Sequence, residues 1–195
     1  MAELSRTKGT RFERQVCERL SRWFDPSLPE NPPVESLTFR RRSTSIMPLE
    51  GHWHGAGDIL HVPHLEGSWP FCVECKKVEG WTLDSLLSPT VQGLWSWWSQ
   101  ACDQAARVAD REPLLIFARN HRPTHVMVWA STQAWLRIEP EHGNLVMARP
   151  SESPPVVVCL LDDLVRVPLS NLRSRLRPSS VPCPTRPVSR RKRRG

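Results

Sequence analysis

The chain has 195 residues, of which 39% are hydrophobic and 24% charged, a composition that permits a packed core and excludes disorder of the whole chain. No apolar run approaches the ~18–20 residues that span a bilayer, and the N-terminal MAELSRTKGTRFERQ carries no apolar signal core, so a cytoplasmic location is expected. The net charge of +7 is unevenly placed: residues 164–195 hold ten Lys/Arg and no acid, and residues 1–163 are mildly acidic.

Residues 5–24 read as a helix, because Phe12, Val16, Leu20 and Trp23 or Phe24 recur at helical spacing. Asp25-Pro26 ends it, and residues 26–34 form a Pro-rich loop. A short strand is expected over 36–42, followed by a Gly/His-rich loop from Met47 to Gly57. Residues 58–62 and 71–76 read as two strands joined across turn-forming residues 63–70, which predicts a hairpin. Residues 91–110 look helical. Strands follow at 114–118 and 125–129, then a short helix at 131–137 and two short edge strands at 145–148 and 156–161. The expectation is an α/β domain over residues 1–166, with a central mixed β-sheet flanked by helices, and a flexible basic Pro/Arg-rich tail over 167–195. That tail ends Arg190-Arg191-Lys192-Arg193-Arg194, a run suited to a polyanion such as nucleic acid. Six cysteines in a chain without a signal core suggest reduced thiols rather than a disulfide framework.

Strand periodicity singles out one constellation. Alternate side chains of a strand share a face, so Cys72, Glu74 and Lys76 lie together and Phe71, Val73 and Cys75 lie opposite. If the two strands pair, Asp58 converges on Glu74. Two carboxylates brought together repel unless a cation lies between them, and hard oxygen ligands suit Mg²⁺ or Mn²⁺. Bound there, such a cation activates water and stabilises charge on a phosphate. Lys76 is then placed to orient the water or to offset transition-state charge. Phosphodiester hydrolysis needs this assembly.

Gly57-Asp58-Ile59 followed by Val73-Glu74-Cys75-Lys76 resembles the PD-(D/E)xK nuclease motif, with Gly57 where the family name puts proline. Lys8-Gly9 and Phe12-Glu13-Arg14 resemble the opening helix of archaeal-type Holliday junction resolvases, in which a glutamate approaches the metal site. Trp98, Gln100 and Ala101, followed by the strands over 114–129, are similar to phage-encoded members of the group. The resemblance covers residues 6–130. It implies a restriction-endonuclease-like core, a homodimer and endonucleolytic cleavage of four-way DNA junctions in recombination and repair. On this resemblance, Asp58, Glu74 and the main-chain oxygen of Cys75 bind Mg²⁺ or Mn²⁺, Lys76 orients the attacking water, and Glu13 supports the metal or its waters. The expected DNA contacts are Lys8, Arg14, Arg40, Arg41, Arg42, Ser43, Lys77 and Gln100; arginines hold phosphate in a bidentate manner.

Two other readings remain open at this point. Cys72-x-x-Cys75, with His61 and His64 and additional candidates His52 and His54, is a possible structural zinc set. It needs a knuckle turn between the cysteines, where Val-Glu is poor turn sequence; the chain would then be a DNA-binding module without hydrolysis. A non-enzymatic scaffold with a basic tail is the third reading. A nuclease acting on flaps or ends is the alternative within the enzyme class.

Overall fold

Seven strands form one mixed sheet in the computed structural model, which describes residues 2–42, 57–61, 69–86, 93–108, 111–140, 146–148 and 154–173. Their spatial order is β1 (Phe39–Arg41), β2 (Ile59–His61), β3 (Phe71–Lys77), β4 (Glu112–Ala118), β5 (His125–Trp129), β7 (Val156–Leu160) and β6 (Val146–Ala148). Only β3 and β4 are parallel; each other neighbouring pair is antiparallel. A parallel pair needs a crossover, and helix α2 (Leu94–Ala105) supplies it.

Helix α1 (Ala2–Phe24) covers the opposite face from α2. It buries Phe12, Val16, Leu20 and Trp23, spaced four, four and three residues apart, as a stripe facing the sheet requires. The helix stops where Asp25 donates its N–H to Ser21 O (2.8 Å) and its carboxylate takes the N–H of Ser27 (3.0 Å), just past Pro26. Ser21 is fully buried inside α1, and its hydroxyl oxygen accepts the N–H of Phe39 (3.0 Å). That bond fixes the register of α1 against β1.

The sheet alternates between two cores, as the period of two demands. Leu114, Ile116, Val126, Val128, Val157 and Cys159 pack with α1. Leu115, Phe117, Met127, Val156 and Val158 pack with Leu94, Trp98 and Ala101 of α2. Burying one such Leu, Ile, Val, Phe or Met side chain contributes about 1.5–3 kcal/mol.

Several sequence expectations shift. The first helix begins at Ala2 rather than residue 5. The strand expected over 36–42 shortens to β1, because Pro33 opens a 3-10 turn at Val34–Ser36. The long helix narrows to α2, and parts of its expected span, 91–92 and 109–110, lie outside the described residues. β6 is an edge strand, but β7 is not: it runs between β5 and β6 with Val156–Cys159 buried. An unbroken apolar run such as Val-Val-Val-Cys belongs to a strand covered on both faces. Helices α3 (Ala130–Leu136), α4 (Leu161–Val165) and α5 (Leu169–Arg173) complete the fold. Past residue 166 the chain still serves the core. Trp23 Nε1–H donates to Val167 O (2.7 Å), and Val167 and Leu172 are buried. The remaining tail, 174–195, and the loop residues Ser43, His52, His54 and His64 lie outside the described residues.

Candidate active site

The hairpin of β2 and β3 is short. Ile59 pairs with Val73, and Asp58 N–H donates to Val73 O (2.7 Å). That close approach depends on Gly57, whose φ is +80° and whose Cβ, if present, would stand 2.7 Å from Val73 O. No side chain fits there, which is why glycine stands directly before Asp58. Beyond this point β2 no longer continues the ladder, and Asp58 Oδ2 accepts the N–H of Cys75 instead (2.8 Å). In a strand, one residue's N–H and C=O point to the same edge. The Cys75 carbonyl is therefore turned to the same side of β3 as Asp58.

Glu74 is 2% exposed. Lys76 Nζ donates to its Oε1 at 2.7 Å, and Gln100 Nε2 donates to the same oxygen at 2.6 Å. Its other oxygen, Oε2, is buried with no hydrogen-bond partner among the described residues. Burial, and secondly the charge of Asp58, push the Glu74 pKa above the usual carboxylate value, while Lys76 and Gln100 act against the shift. A buried carboxylate oxygen without a partner is costly, and a cation beside it relieves that cost. Hard oxygens are the donors that Mg²⁺ and Mn²⁺ prefer, so the residues fit a divalent cation.

Glu13 arrives from α1. Its pKa is raised by burial first and then by Asp58, with a smaller contribution from Glu74, whereas Arg41 and Lys76 oppose the rise. Arg41 Nη1 lies 3.7 Å from Glu13 Oε2 and donates to Thr10 Oγ1 (2.9 Å). Strand β1 thus steadies the helix that brings Glu13 to the two carboxylates. Among the described residues no group of three or more His, Cys, Asp and Glu side chains is arranged to hold a metal. A site built on Asp58 and Glu74 has two side-chain ligands, in keeping with Mg²⁺, which binds through one or two carboxylates and keeps several waters.

The profile of the family described as "Phage putative PDDEXK endonuclease" matches residues 4–158. The chain belongs to this family. It is a nuclease of the PD-(D/E)xK superfamily. No curated protein and no solved structure matches it.

The expected DNA contacts of this nuclease are scattered. Arg42 is exposed, and its main-chain N–H donates to the main-chain oxygen of Asp58 (2.8 Å), so its backbone lies beside that residue. Arg40 donates to Glu35 O (2.8 Å). Arg14 pairs with Glu18 on the surface of α1 (2.9 Å). Lys77 turns to the other face of β3, with its Nζ 5.8 Å from the centre of the Phe12 ring. Lys8 lies in α1, outside the described side chains, and Ser43 lies outside the described residues altogether. Gln100 is bonded to Glu74. One turn further along α2, Gln104 Oε1 accepts the N–H of Gly57 at 3.4 Å. Gln104 escaped the sequence reading; its i, i+4 spacing from Gln100 was the available signal. Among the described residues the zinc arrangement does not form. β3 is a continuous strand through Cys72 and Cys75, and the two thiols enter different cores, Cys72 with Ala105 and Cys75 with the α1 cluster.

Proposed function

We propose that this nuclease is a divalent-metal-dependent endodeoxyribonuclease that acts on branched DNA, with the four-way junction of recombination as its substrate. The observation that carries the metal dependence is Glu74: a buried carboxylate with, among the described residues, two donors on Oε1 and none on Oε2, beside Asp58. Asp58, Glu74 and the main-chain oxygen of Cys75 would hold Mg²⁺ or Mn²⁺. When bound, such a cation stabilises charge on the scissile phosphate and lowers the pKa of a water.

The chain's own groups do the rest. Lys76 is held by Glu74 at the edge of the carboxylate pair, where its ammonium can orient water and offset developing negative charge. Glu13 accepts hydrogen bonds from waters at the site, kept in place by Arg41. Arg42, beside Asp58, takes a phosphate near the scissile bond. The junction preference is supported by the likeness of the Lys8-to-Arg14 segment to the opening helix of junction resolvases, and by α1 bringing Glu13 to the site. Two such sites in a homodimer would nick a junction in pairs.

The test is cleavage of matched junction, flap, duplex and single-stranded DNA by the purified protein in Mg²⁺. Paired nicks in the junction, well above cleavage of the duplex, support the reading. Preference for flaps or ends would replace the junction with those substrates, and absence of cleavage with every substrate and with both Mg²⁺ and Mn²⁺ would reject it.

A further inference from the structure

The end of the sheet that carries Lys76 continues into a basic hairpin. β3 and β4 are parallel and aligned, with Lys76 opposite Phe117 and Lys77 opposite Ala118, so both strands leave the sheet at the same end. The chain that follows β4 is Arg119-Asn120-His121-Arg122-Pro123, turning into β5. Arg119 stands two residues past the level of Lys76, about 7 Å along the strand direction.

The hairpin tip is tied down. Val78 N–H donates to Ala118 O (3.1 Å) and Asn120 N–H to Glu79 Oε1 (2.9 Å), which join it to the loop after β3. Arg119 lies 5.4 Å from the centre of the Trp81 ring and donates one hydrogen bond from Nη1 to Trp81 O (3.1 Å). A guanidinium has five N–H donors, so that bond leaves four. His121 takes the left-handed conformation at φ 57°. His121 and Arg122 are exposed, and neither has an ion-pair partner among the described residues. The nearby carboxylate of Glu79 is engaged by Asn120.

We propose that the β4–β5 hairpin tip, through Arg119 and Arg122, is a preformed platform that grips phosphates of the DNA backbone beside the active site. Opposite charge supplies the attraction, and the ordered backbone reduces the entropy lost on binding. Phosphate contacts fix position and carry no sequence information, so the platform holds any DNA that enters the site. The proposal rests on the nuclease reading for its choice of ligand.

The experiment uses the full-length chain and a short fluorescent DNA duplex in EDTA, with affinity measured across a salt series. Arg122→Gln carries the test, since Arg122 is exposed and its replacement should leave the thermal midpoint unchanged. The slope of log affinity against log salt should fall by about 0.9 for the single variant and roughly twice that for Arg119→Gln/Arg122→Gln. Arg122→Lys should restore the slope, because a phosphate needs only the charge. With Mg²⁺, KM should rise in Arg122→Gln while kcat holds. Equal slopes in wild type, Arg122→Gln and Arg119→Gln/Arg122→Gln overturn the platform. Reduced slopes in a protein that cuts no DNA keep the platform and overturn the nuclease reading, so the two failures are distinguishable.

Discussion

Gln100→Ala distinguishes a Gln100 that positions the Glu74 carboxylate, proposed above as a metal ligand, from one that merely touches DNA. Gln100 is exposed on α2, so alanine leaves no core cavity and suits the helix. What is lost is one of two donors on Glu74 Oε1, at 2.6 Å. A hydrogen bond to a charged group contributes about 1.5–3 kcal/mol, which corresponds to roughly 10- to 150-fold in an equilibrium constant. Partial exposure of Gln100 places the effect near the lower end, about tenfold, within the 10–100-fold range for losing a partner of a metal ligand. The assay is the rate of DNA cleavage against Mg²⁺ concentration. The half-saturating Mg²⁺ concentration should rise about tenfold, the maximal rate should recover at high Mg²⁺, and DNA affinity in EDTA should match wild type. Unchanged Mg²⁺ dependence together with weakened DNA binding would make Gln100 a DNA contact rather than a support of Glu74.

Gly57→Ala should be destabilised by at least ~1–2 kcal/mol from its left-handed backbone alone, with more from contact with Val73 O. Chemical denaturation measures this loss, and cleavage should fall with it because Asp58 is the next residue. At alkaline pH, burial holds the Cys159 thiol at about 12, above the ordinary 9.0. Between those values the folded state keeps a proton that the unfolded state releases, so stability falls as pH rises, by about 1.4 kcal/mol per pH unit for this group. Cys159→Ala should show a shallower decline between pH 9 and 12 in denaturation curves; an unchanged slope contradicts it. Removal of residues 174–195 takes away eight Lys/Arg and should leave the thermal midpoint and the cleavage rate of bound DNA intact, while DNA affinity weakens and becomes less salt-dependent. Truncation after residue 166 should instead lower the midpoint, since it removes the Val167 carbonyl that Trp23 uses and the buried Leu172.

Local pattern carried a good part of the fold. The α1 stripe of Phe12, Val16 and Leu20 and the alternation along β3 rest on short-range periodicity, and the pairing of the Asp58 strand with β3 on the turn residues between them, all of which a sequence displays directly. The place of β7 was harder to read, because strand order depends on pairing between distant segments; its unbroken Val-Val-Val-Cys run was the one local sign of a strand covered on both faces. At the site, the approach of Asp58 to Glu74 follows from the hairpin, and Glu13 from the resemblance of the first helix. The inward bonds of Gln100 and Gln104 depend on how α2 is rotated against the sheet, a tertiary quantity that helical spacing does not contain. The cationic tip at Arg119 and Arg122 read only as a turn, since nothing local reveals that β3 and β4 end side by side.

Asp58 and Glu74 are proposed to form a hydrolytic metal centre. Its most direct measurement is Mg²⁺-dependent cleavage of junction DNA by the full-length protein and by Glu74→Ala, with DNA affinity in EDTA measured in parallel. Wild type should cleave, Glu74→Ala should lose cleavage by at least about a thousandfold from lost charge stabilisation and metal binding, and both should bind DNA with similar affinity. A Glu74→Ala protein that cuts at the wild-type rate would contradict it.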